Sequence, residues 1–115
     1  MTPEQATLAE RVRTLLASEQ LMREKSMFGV RSFKVNEKMV VGARKDGGLL
    51  VRVDAGRHDE FLGKPGATHA EMGTGRTMGP GWIEVAPDAI GTDEALSEWL
   101  GIALDHNRTL TGPTS

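Results

Sequence analysis

The sequence predicts an α+β protein of two layers, a single antiparallel sheet with helices on one face, in the order α-β-β-β-α-β-β-α. Three observations carry this. Apolar residues recur at helical spacing near both ends of the chain, at Leu8, Val12, Leu15 and Leu16 and again at Leu96, Trp99, Leu100, Ala103 and Leu104. Between them the period shortens to two, at Phe33 and Val35, at Leu49, Val51 and Val53, and at Ile83 and Val85. Clusters of Gly, Pro, Asn and Asp separate these runs.

Each element has its own signals. Thr2 is placed to cap a first helix over Pro3 to Ser18, with Pro3 at the first helical position and Gln5 closing a capping box. From Ser26 onward the chain alternates, and Asn36-Glu37 supplies a turn into a second strand, Met39 to Ala43. Lys45-Asp46-Gly47-Gly48 connects to a third, completing a three-stranded meander. Arg57 to Leu62 forms a helical turn or two, stopped by Gly63 and Pro65. A Gly-rich stretch from Met72 to Gly81 separates a weak strand near Thr68–Glu71 from a better one at Trp82–Val85, which Pro87 ends. Thr92 caps the last helix, with Asp93 and Glu94 where the dipole favours anions.

These 115 residues make one domain, 1–108, with a polar tail at 109–115. There is no cysteine, so a disulfide framework and a cysteine nucleophile are excluded. No apolar run approaches the roughly 20 residues that cross a bilayer, and Met1-Thr2-Pro3-Glu4 is no signal peptide. The expected location is cytoplasmic, with no membrane contact. The net charge of −2 argues against a stand-alone nucleic-acid binder. That charge is unevenly spread: residues 23–76 hold 11 Lys/Arg against 7 Asp/Glu, whereas residues 77–115 hold one Arg against 6 acids.

A series of short motifs runs through the chain: Met27-Phe28-Gly29, the hairpin leading into Gly48–Asp54, Gly75-Arg76 with Met78, Trp82-Ile83-Glu84-Val85 with Pro87, and a closing helix around Trp99. In this order they resemble the N-terminal domain of the TfoX/Sxy family, named for a regulator of bacterial natural competence. The resemblance spans about residues 8–107. It implies the same two-layer α+β fold and a regulatory, co-activator type of role, and it brings no catalytic residues with it. Val30 stands where the family usually has a second glycine, and the separate C-terminal helical domain of many members is not in this sequence.

No constellation for catalysis, cofactor or metal emerges from the residues themselves. Gly73-Thr74-Gly75-Arg76 lacks the strand-before, helix-after context of a dinucleotide fingerprint, which leaves Arg76 as a loop anchor or anion contact. His58, Asp59, Glu60, His69 and Glu71 could form a metal cluster but lack paired ligand spacing, and solvated polar residues are the plainer reading. Arg52 and Asp54 share one side of a strand and could pair with each other or across the sheet. If Ile83 and Val85 face the core, Trp82 faces away from it, together with Leu50 and Arg52. Those three define an expected interaction surface, unless a register shift turns Trp82 inward.

The functional expectation is therefore a non-enzymatic regulatory or protein-interaction module, without cofactor, acting on a protein partner or on a second copy of itself. One alternative is a direct DNA-binding regulator using the basic middle segment, although weak or absent DNA binding is expected of this domain. The other is a small ligand-binding domain or enzyme with a site near Arg76 and His69.

Overall fold

The computed structural model describes residues 2–19, 22–27, 29–71 and 77–111. Its first helix, α1, spans Pro3–Leu15 and begins as the capping signals require, with the Thr2 hydroxyl accepting from the Gln5 N–H at 3.1 Å. Leu8, Ala9, Val12 and Leu16 are buried. Leu15, expected with them, is only partly covered: the helix closes there, and Leu16 takes the inward position.

Six strands form one antiparallel sheet: β1 (Met22–Met27), β2 (Val30–Val35), β3 (Lys38–Ala43), β4 (Leu49–Arg52), β5 (Ala67–His69) and β6 (Trp82–Val85). Their spatial order is β1-β2-β3-β4-β6-β5. Helix α2 (His58–Leu62) follows β4 after a 3₁₀ turn, and α3 (Asp93–Thr111) follows β6. The α+β, two-layer class is as the sequence predicts, with one strand more in the meander. That strand, β1, reads Met-Arg-Glu-Lys-Ser-Met and offers no alternating apolar signal. Its inward residue Glu24, opposite Phe33, is held by Arg13 of α1 at 2.8 Å and Arg31 of β2 at 3.1 Å. A charged edge strand also discourages pairing with other chains.

The strand registers align the core. Phe33, Val41, Val51 and Ile83 stand in one row, and Ala43, Leu49 and Val85 in the next, all buried. A shift in the β2–β3 register after Phe33 places Val40 as well as Val41 in the core cluster, as a bulge does. Asn36 and Glu37 take φ of 54° and 68°, the double left-handed conformation of a tight hairpin turn that suits right-twisted strands.

All three helices pack on this one face, α1 and α3 over the central strands and α2 over β5 and β6. The Thr92 hydroxyl caps α3 by accepting from Ala95 N–H at 3.1 Å, and Leu96, Trp99, Leu100 and Ala103 are buried beneath it, with Leu104 partly so. Asn107 donates to the Val35 carbonyl at 3.0 Å, which ties α3 to β2. The helix continues to Thr111, into the segment read as a tail.

The Glu24 carboxylate is held below the ordinary glutamate value, chiefly because Arg13 hydrogen-bonds it, with Arg31 adding and burial opposing. A depressed folded-state value stabilises the fold above the unfolded pKa and loses that contribution as pH falls. Glu24→Gln is therefore expected to lower the thermal midpoint at neutral pH. The gap to wild type should close as the pH drops below about 4.5. Melts followed by circular dichroism at pH 7, 5 and 3 check this, and a gap that ignores pH would contradict it.

Candidate functional site

With the helices on one side, the other face of the sheet is left without a covering layer among the described residues. Leu50, Arg52 and Trp82 all belong to it. The β4–β6 register sets Arg52 directly opposite Trp82 and Leu50 opposite Glu84, so no register shift turns the tryptophan inward. The Arg52 guanidinium carbon lies 5.6 Å from the Trp82 ring centroid, within cation–π range, and both side chains are half-buried. Arg52 thus reaches across the sheet. Asp54 instead turns to cap the following 3₁₀ turn, accepting from Gly56 N–H at 2.8 Å.

Leu50 lies deeper than its neighbours. It is 4 % exposed, so it forms the floor of the face rather than a contact in its own right. In its row stand Gly42 on one side and Glu84 on the other. Gly42 has to lack a side chain: a Cβ there would stand 2.5 Å from Val30 Cγ1 and 2.8 Å from Met39 Cε. Val30 and Met39 therefore lie over it and roof the floor.

Charge on this face is strongly biased. Arg23, Lys25, Lys34, Arg44 and Arg52 occupy it, against the single strand carboxylate Glu84, which Arg44 engages at 2.9 Å. Arg23 is 3.7 Å from Glu37 in the adjoining turn. Among the described residues no carboxylate pairs with Lys25, Lys34 or Arg52. His106 on α3 is pushed below the ordinary imidazole range, first by burial and then by the Arg52 charge, with Asp54 opposing. Lys25 escapes sequence reasoning because β1 carries no apolar alternation, and Lys34, legible in the alternation of β2, joins this face only through the strand order. Met39 escapes it because the bulge breaks the alternation of β3. The basic surplus of residues 23–76 was the available signal.

A second cluster joins α2 to the β5–β6 hairpin. His58, nearly buried, accepts from the Gly81 N–H through Nδ1 at 2.9 Å, and its Nε2 is 3.0 Å from Nδ1 of His69. The rings are inclined by 22° with centroids 5.0 Å apart, the spacing of imidazoles joined edge to edge. Since Nδ1 of His58 accepts, the ring proton of the neutral residue is on Nε2, which donates to His69. His69 then carries its own proton on Nε2. The lone pairs that a metal would need are already engaged. A cavity of about 360 Å³ opens beside this clasp, lined by His58, Asp59, His69, Thr77 and Pro80. The other members of the cluster read from sequence are elsewhere: Glu60 is paired with Arg57 at 2.6 Å, and Glu71 bridges to Thr77. Among the described residues no three His, Asp or Glu side chains are grouped as metal ligands.

Arg76, the expected anion contact, lies outside the described residues, as do the rest of Gly73–Arg76 and Phe28. Gly29 stands at φ +78°, a conformation that glycine adopts without strain, with Lys45 Cε at 2.7 Å from where a Cβ would be. Its role is conformational.

The clasp anchors the start of β6, since the carbonyl oxygen of Gly81, at φ +98°, also accepts from the Val53 N–H at 2.8 Å. His58→Ala leaves the Gly81 N–H unsatisfied in a buried place and should cost about 1–3 kcal/mol. His58→Asn, whose amide oxygen falls near the position of Nδ1, should recover part of that loss. Denaturant melts and hydrogen exchange at the Gly81 amide test this; equal exchange rates in wild type and His58→Ala would contradict it.

The family model for the TfoX N-terminal domain matches residues 14–107. No curated protein and no solved structure gives a match. The matched segment runs from the end of α1 through all six strands into the last turns of α3, and thus takes in both the open sheet face and the His58–His69 clasp. The chain belongs to the TfoX N-terminal domain family.

Proposed function

We propose that this domain is a non-enzymatic regulatory module that works by contact, in the manner of transcriptional control, and that the open face of its sheet is the contact surface. The single observation carrying this reading is the Arg52–Trp82 pair across β4 and β6, on a face left uncovered among the described residues and shared by Met39 and Val30. Tryptophan, arginine and methionine are the residue types enriched where proteins bind one another. Leu50 supports them from beneath. Membership of the TfoX N-terminal family favours regulation over catalysis. The engaged lone pairs of the two histidines give the ligand-site alternative little to work with. The partner is another protein or a second copy of the chain, met in the cytoplasm. The lack of cysteine fits that compartment, and no helix among the described residues is long and apolar enough to cross a membrane.

Trp82→Ser tests the reading. The side chain is half-exposed and outside the helix-covered core, so the thermal midpoint should move little. Self-association measured by sedimentation, or capture of the native partner from a cytoplasmic extract, should fall at least about tenfold. The reading fails if both are unchanged. It fails as well if the variant unfolds, because Trp82 would then be serving the core. Leu50→Ser is the complementary variant and, from its 4 % exposure, should weaken the fold itself.

A further inference from the structure

We infer that the partner recognised by the sheet face is a protein presenting an extended acidic segment with interspersed apolar residues. The inference rests on the reading of this face as the contact surface and adds the chemistry of what it takes. Lys25 and Lys34 stand exposed or half-exposed on neighbouring strands, each without a carboxylate among the described residues. Arg52 is likewise free of carboxylates and lies over Trp82. Lys25 on β1, Lys34 on β2 and Arg52 on β4 share the face with Val30 and Met39, which lie over the Leu50 floor, and with Trp82, which stands opposite Arg52 on β6.

The charge of this face runs against that of the whole chain. The chain as a whole has a net charge of −2, yet the sheet face holds five cations against Glu84. The acids are elsewhere, with Asp93, Glu94, Glu98 and Asp105 all exposed on α3. Uncompensated like charges on one surface repel one another and keep it hydrated, a cost that a complementary surface relieves. A strand-like acidic segment suits the geometry. Its alternate side chains would address the apolar residues and the lysines in turn.

Nucleic acid is the rival polyanion, and three features disfavour it. The acidic remainder of the molecule opposes phosphate at long range. Glu84 lies within the face, between Leu50 and Thr68 in the cross-strand row. Arg52 already lies over the Trp82 ring, where a base would stack. A second copy, offering its α3 acids, is the other rival.

Nuclear magnetic resonance titration of the ¹⁵N-labelled chain decides among these. The probes are a twelve-residue peptide of alternating glutamate and leucine, the same peptide with lysine for glutamate, a twelve-nucleotide thymidine strand, and a twelve-base-pair duplex. The glutamate peptide is expected to shift the Trp82 indole and the amides of Lys25, Lys34 and Arg52, and to weaken as salt rises. Lys25→Glu with Lys34→Glu should reduce its affinity about tenfold or more, and the neutral pair Lys25→Gln with Lys34→Gln by less. Both are surface changes, and unchanged melts confirm that they leave the fold intact. Tighter binding of either nucleic acid, equal binding of the lysine peptide, or shifts confined to other surfaces would overturn the inference. So would peaks on this face that move with protein concentration alone, which would assign it to a second copy. If Trp82→Ser abolishes native partner capture while the charge-reversed variant captures normally, the contact surface stands and only its acidic partner falls.

Discussion

The pairing of β4 with β6 is the constraint on which the molecule depends. It places Val51 against Ile83 and Leu49 against Val85 on one face, and Arg52 against Trp82 on the other. Side chains alternate along a strand, so a slip of one residue would exchange these two sets and send a charged row into the core. The chain reaches this pairing by a detour. After β4 it passes through α2 to the sheet edge as β5 and only then returns as β6 between them. The His58–Gly81 hydrogen bond closes that detour at its base, and Gly81 immediately precedes β6. The clasp and the register thus support one another.

Covering one face with helices has a consequence for the other. A sheet with a single helical layer needs no apolar residues on its second face, and this one has taken up cations there instead. Its few apolar residues are arranged as a sunken floor, Leu50, beneath partly exposed Val30, Met39 and Trp82. Water can be kept from the floor while the upper residues remain reachable. That combination, a small apolar patch on a face where Lys25, Lys34 and Arg52 meet no carboxylate among the described residues, suits reversible contact better than permanent burial. The edge strand β1 brings Lys25 to the same surface and, through Glu24, fastens its inner side to α1. Structural and functional demands on that strand therefore act on opposite sides of it.

The parts of this fold that depend on local pattern were legible in the sequence. The capped helices, the Asn36-Glu37 turn and the alternation of Leu49, Val51 and Val53 follow from near neighbours, and the structure repeats them. The outward placement of Trp82 was legible for the same reason, because Ile83 and Val85 set its phase. What escaped depends on distant residues. β1 is stabilised by an ion-paired Glu24 and not by an apolar stripe, so no periodicity marks it. The depth of Leu50 depends on Gly42 being bare and on Val30 and Met39 folding over it. His58 and His69 meet only because α2 packs against the end of β5, an arrangement that their separation of 11 in sequence does not announce. The candidate surface was thus visible in outline, whereas its lysines and its floor required the strand order.

The most direct measurement of this account is the accessibility of Trp82 compared with that of Trp99, the only other tryptophan. Trp99→Phe leaves Trp82 as the sole indole fluorophore, and Trp82→Phe leaves Trp99, which is 3 % exposed in the core. The account predicts that Trp82 emission is readily quenched by iodide and much less by caesium, because Arg52, Lys25 and Lys34 attract the anion, while Trp99 resists both. Strong protection of Trp82 in a folded Trp99→Phe variant, or quenching by caesium as efficient as by iodide, would contradict the open cationic face.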